Sequence, residues 1–319
     1  MSIAKALLKK QLIPVAKHNN DTYTLLEEHV AAATKGILGR AGTFFVLSSK
    51  HSNAYTLRIE DTSVILITDA LLQTIETSTK TFLANPAIPA FFEHSFGITY
   101  APSDSPGRLT TGLAPASARH LIGADMWTTF FYEIFDNATK FVLLHEIAHI
   151  KHGDLDEHRP EKNRDHEDIY GTVCDTADLI TYGGPGANRF TRIYEREADR
   201  EAACWHMQSV FRRLQEDFGD QITLRALGSR YTFAWCGIMI GVLYASREPE
   251  ADEREYTFDH LSFDARLESV WEGATPPLEE LFGFAVEGQL MHVITLLRKQ
   301  IETIVFGEPR KYMISIGPG

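Results

Sequence analysis

"FVLLHEIAHIKHGD", residues 141–154, sets apolar side chains around three histidines and a glutamate. Residues four apart on an α-helix share a face, so His145 and His149 project together. Val142, Leu143, Leu144, Ile147, Ala148 and Ile150 supply apolar surroundings. Two neutral imidazoles at this spacing can share a zinc ion, which as a catalyst takes three protein ligands and keeps one position open. Glu146 is too close in sequence to His145 to be a comfortable third ligand. It is suited instead to take a proton from water on the metal. With 13 His and 25 Glu in 319 residues, chance alone produces H-E-x-x-H in roughly 4 of 100 such chains. Context therefore decides, and an unpaired glutamate buried on so apolar a helix is costly.

A third ligand is available downstream. "YEREADREAA", residues 194–203, places Glu195 and Asp199 four apart on a second expected helix. Glu195 can complete the zinc shell while Asp199, on the same face, accepts the other N–H of His145, which fixes the tautomer. Glu197 lies roughly 200° round the helix from Glu195 and is the poorer ligand. Read alone, this Glu-Arg alternation is a solvated helix face. Paired with the upstream motif it reads as half of a metal site.

The two motifs resemble those of the gluzincin metallopeptidases. "HEIAHIKHGD" and "EREAD" match the H-E-x-x-H-x-x-x-G-D and E-x-x-A-D patterns of the CAAX prenyl protease and stress-response membrane protease family. The resemblance implies His145, His149 and Glu195 as zinc ligands, Glu146 as the base and Asp199 as the orienting acid. That family also carries H-P-P-x-x-x-R. "HLSFDAR" keeps His260 and Arg266 at the same separation, with Leu261 in place of the first proline. The match puts His260 and Arg266 in the catalytic group. It covers residues 140–266 and lacks that family's membrane helices. The chain is also similar to the ImmA/IrrE-like and phage-exclusion Lit-type peptidases, which cut chosen intracellular proteins.

The rest of the chain sets bounds. A formal charge of −12 disfavours nucleic acid as a partner. Three widely spaced cysteines, Cys174, Cys204 and Cys236, fit a reducing compartment, and a cytoplasmic location is expected. The basic N-terminus "MSIAKALLKKQLIPVAKHNN" lacks a continuous apolar core and reads as a first helix rather than a signal peptide. "FAWCGIMIGVLYA", residues 233–245, is too short to span a bilayer and reads as a core helix. Gly237 and Gly241 would let a neighbouring helix approach it.

The expected fold class is α+β, a mainly helical zincin-like catalytic core with a small antiparallel sheet in the N-terminal part. "TFFVLSS", "AYTLRIE" and "SVILIT" read as a meander over 42–68, followed by a helix capped by Asp69. "FGITYAP" reads as a further strand, and the proline-rich stretch 102–120 as a linker. This gives a mixed part over 1–120 and the metallopeptidase core over 121–319. In the core, Asn137 is expected to cap the motif helix, with Gly153 ending it. A short helix near 171–181, a long one from Thr191, the apolar one from 231, a short one within 257–272 and a last one opening on Pro276-Pro277 should follow. "GGPG", residues 183–186, suits a lid or an ordinary loop.

The expected activity is zinc-dependent hydrolysis of peptide bonds in selected protein targets, with His152, Tyr194, His260 and Arg266 as candidates to stabilise the oxyanion. His152 alternatively caps its helix. Two rivals remain: metal-dependent hydrolysis of a non-peptide amide, and a regulatory protein whose zinc is structural, with Cys174 or Cys204 closing the fourth position.

Overall fold

The computed structural model describes residues 21–49, 53–59, 62–96, 126–152, 187–219, 224–245 and 263–282, with a few isolated positions besides. Among these residues there are seven helices and one three-stranded sheet. The order is α1 (Asp21–Leu38), β1 (Thr43–Leu47), β2 (Ala54–Ile59), β3 (Thr62–Thr68), α2 (Asp69–Ala84), α3 (Ala87–Phe96), α4 (Met126–His152), α5 (Ala187–Phe218), α6 (Leu224–Ala245) and α7 (Phe263–Phe282).

The sheet lies in the N-terminal part as expected, but it is mixed rather than an antiparallel meander. β3 is central: β2 pairs with it antiparallel, and β1 pairs with it parallel, Thr43 opposite Val64. The physical reason lies in β3 itself. Val64, Ile65, Leu66 and Ile67 are all buried, a continuous apolar run that needs cover on both faces. Ile65 and Ile67 face the main core, while Val64 and Leu66 join a second cluster with Leu7, Leu47 and Tyr55. β1 also meets Pro14 on its other side, with Ser48 N donating to Ile13 O at 2.9 Å. β2 is an edge strand, with no strand beyond it among the described residues.

Helix α4 is the axis of the molecule and contacts α2, α5, α6 and β2. It starts at Met126, so Asn137 is not its cap. The Asn137 amide donates to the Glu133 carbonyl at 2.6 Å, inside the helix, and its hydrogen-bonding capacity is spent along the helix rather than at an end. A Cβ on Gly237 would lie 2.5 Å from Asn137 Cβ and 2.6 Å from Ala138 N. The glycine is what lets α6 cross α4 at this point.

Other boundaries also differ from the sequence reading. Thr68, not Asp69, caps α2, its hydroxyl accepting from Leu71 N; Asp69 accepts from Ser49 N at 2.8 Å. α5 begins at Ala187 and α6 at Leu224, both earlier than expected. Pro276 and Pro277 lie inside α7 instead of opening a new helix. α7 packs on α5 so closely that a Cβ on Gly273 would meet Arg200 O at 1.9 Å. The expected strand at "FGITYAP" beyond Phe96, the 102–120 linker, the 171–181 helix, "GGPG" and, Thr295 apart, the chain beyond 282 lie outside the described residues. So does the expected division at residue 120. One apolar cluster takes side chains from both sides of it, from Tyr23 to Ala274.

Candidate metal centre

α4 presents His145 and His149 one turn apart, and α5 brings Glu195 to them. The two Nε2 atoms are 3.1 Å apart. Glu195 Oε2 is 3.3 Å from His145 Nε2, and its Oε1 is 3.5 Å from His149 Nε2. Zinc–nitrogen and zinc–oxygen bonds of about 2.0–2.1 Å place tetrahedral ligand atoms roughly 3.3 Å from one another. Each imidazole thus has one Glu195 oxygen at about that distance, and one donor atom from each of the three side chains lies within 4.8 Å of the others, close enough to share an ion. All three are buried, and among the described residues they form the one group of His, Cys, Asp or Glu able to share an ion.

Charge supports the fit. Glu146, Glu195 and Asp199 are buried carboxylates, faced by the single buried guanidinium of Arg266. With neutral imidazoles the site carries a surplus of two negative charges, which a divalent cation would offset. Burial alone would raise the Glu195 carboxyl, yet His145, His149 and Arg266 hold it well below the usual range. Burial opposes charge on His145, but Asp199 and Glu195 outweigh it and push the imidazole up to about 10.

The surrounding shell is ordered in layers. His145 Nδ1 lies 2.9 Å from Asp199 Oδ1, which leaves Nε2 with its lone pair toward the shared point. Arg266, on α7, donates to the same Asp199 oxygen at 2.8 Å and sits 3.3 Å from Glu195 Oε2. Arg266 is thus at the site, behind His145 and between the two carboxylates of α5. Glu146 is buried beside the histidines, and burial raises its pKa while His149 and His145 oppose the rise. Thr56 of β2 reaches its carboxylate at 3.0 Å.

His152 points elsewhere. Its ring lies 3.2 Å from Glu201 and 3.8 Å from Glu197, so it tethers the end of α4 to α5. Tyr194 is half-buried beside Glu195. His260 lies outside the described residues. Thr56 was missed by sequence reasoning, because nothing local marks one threonine of a strand as the partner of a residue ninety positions away.

A histidine pair on one helix and a carboxylate from a second could together hold a metal ion, with a further buried glutamate beside the pair. The chain belongs to peptidase family M48, whose sequence model matches residues 19–254, well over half its length. No curated protein and no solved structure matches it significantly. It is accordingly a metallopeptidase, a hydrolase whose substrates are proteins or peptides. Among the described residues no helix is long and apolar enough to cross a membrane.

Proposed function

We propose that the chain is a zinc-dependent endopeptidase that cuts selected intracellular protein targets. The observation that carries this reading is the convergence of His145, His149 and Glu195, with donor atoms within 4.8 Å of one another and a buried glutamate beside them. When bound, the cation supplies Lewis-acid activation of water and of the scissile carbonyl. The chain's own residues do the rest. Asp199 holds His145 in the tautomer that offers Nε2, and Arg266 holds Asp199 and Glu195 in place. Glu146 takes a proton from the attacking water as its oxygen bonds to the carbonyl carbon. It passes that proton to the amine nitrogen as the C–N bond breaks.

β2 is the strand proposed to receive the substrate. Among the described residues it is an edge strand, it contacts α4, and an extended peptide pairs with such an edge through its main chain. His260 keeps the role that the resemblance implies, near the cleft. A cytoplasmic location remains the expectation from the sparse cysteines.

Protein N-termini compared between cells making wild type and cells making Glu146→Gln test the reading. Wild type should create a small set of new termini, and the variant should lose them, a fall of roughly 100- to 10,000-fold in rate, while keeping its zinc. Equal sets of termini would refute it.

A further inference from the structure

Thr56 sits within β2, opposite Ile65 of β3, with no exposed surface. A buried hydroxyl needs a partner, and valine would fill the same volume without one. The partner here is Glu146: Thr56 Oγ1 is 3.0 Å from Glu146 Oε2 and 3.1 Å from the Glu146 main-chain oxygen. Among the described residues no other hydrogen bond reaches that carboxylate.

We propose that Thr56 is the positioning residue of the base, its hydroxyl keeping the Glu146 carboxylate in one place throughout turnover. The inference deepens the peptidase reading and rests on it. A hydroxyl has one hydrogen to give and two lone pairs. Against the charged carboxylate it donates to Oε2, a charge-assisted bond. When Glu146 carries the proton taken from water, that proton sits on the other oxygen, Oε1, from which it can pass to the amine, and the Thr56 hydroxyl still donates to Oε2. The pair stays bonded in both forms, and a base that first accepts and then returns a proton needs such a partner. Because Thr56 belongs to the edge strand, the same element would align the base with a substrate chain paired along it.

The test uses the zinc-loaded full chain as wild type, Thr56→Val, Thr56→Ser and Glu146→Gln. The probe is the best-cleaved member of a library of quenched fluorescent peptides. Thr56→Val should lower kcat roughly 10- to 100-fold and leave KM within about threefold. Thr56→Ser should return kcat to within about threefold of wild type, which a loss of packing alone would not do. If Thr56→Val does not fold, Thr56→Ala takes its place. Wild-type kcat in Thr56→Val alongside an inactive Glu146→Gln overturns the role of Thr56 and leaves the peptidase reading standing. An active Glu146→Gln overturns both. A crystal structure of zinc-loaded Thr56→Val decides without any substrate: a displaced Glu146 carboxylate supports the proposal, and an unmoved one overturns it.

Discussion

Eight residues of α4 separate Asp136 from His145, and each anchors a largely buried cluster of histidine and charge. Around Asp136 stand His29 of α1 at 3.5 Å, Lys140 at 2.6 Å and Arg213 of α5 at 3.6 Å. His206 of α5 lies buried near them, and neither ring nitrogen has a hydrogen-bond partner among the described residues. Here one carboxylate faces two cations. Burial, reinforced by Lys140 and Arg213, drives His206 down to about 3 and His29 to about 4. At the metal centre three carboxylates face one guanidinium, and His145 rises instead. The same residue types on one helix thus make opposite sites. What distinguishes a cation site is a carboxylate surplus around converging donors, not the burial of histidine.

Acid should separate the two clusters most strongly. The folded pKa values of His29 and His206 lie below the unfolded value near 6.5, so the unfolded chain binds the extra protons. Their stabilising effect is whole above about pH 6.5 and is lost as pH falls toward 4 and 3. That amounts to about 3 kcal/mol per histidine by pH 4. Urea unfolding from pH 7 to 4 should therefore show a steep loss in wild type, and His206→Leu should remove about 3 kcal/mol of it. Equal slopes in the two proteins would break the comparison. His145 runs the other way in metal-free protein. Its folded value lies above 6.5, so its contribution is present below that pH and fades as pH rises through about 10.

A smaller effect sharpens the contrast at the metal end. Asp199→Asn keeps the shape of the side chain but removes the charge that orients His145. Zinc affinity, read by competition with a chelator, should weaken roughly 10- to 100-fold. Arg196→Ala is the control. Arg196 adjoins Glu195 but pairs with Glu268 on the exposed surface at 2.6 Å, and its loss should leave zinc affinity unchanged. An unchanged affinity in Asp199→Asn would mean that the surplus of carboxylates does not govern the site.

The candidate metal centre was legible in the sequence because its geometry is local. His145 with His149, and Glu195 with Asp199, are i,i+4 pairs, and helix periodicity alone sets each pair on one face. Arg266 came only through the H-x-x-x-x-x-R resemblance, and the structure sets it against Asp199. The sheet order was not legible, since pairing β1 parallel to β3 depends on how the unbroken apolar run of β3 is covered. Asn137 and the Pro276-Pro277 pair carry strong terminal signals that tertiary packing overrode. His206 and His29 look no different from ligands in the sequence. Only the company of Lys140 and Arg213 in space sets their charge state.

Anomalous diffraction at the zinc edge, from crystals grown with one equivalent of zinc, tests the metal assignment most directly. A single peak is expected within about 2.0–2.2 Å of both Nε2 atoms and one Glu195 oxygen. A peak held by other side chains, or one whose fourth position is filled by a cysteine, would contradict it.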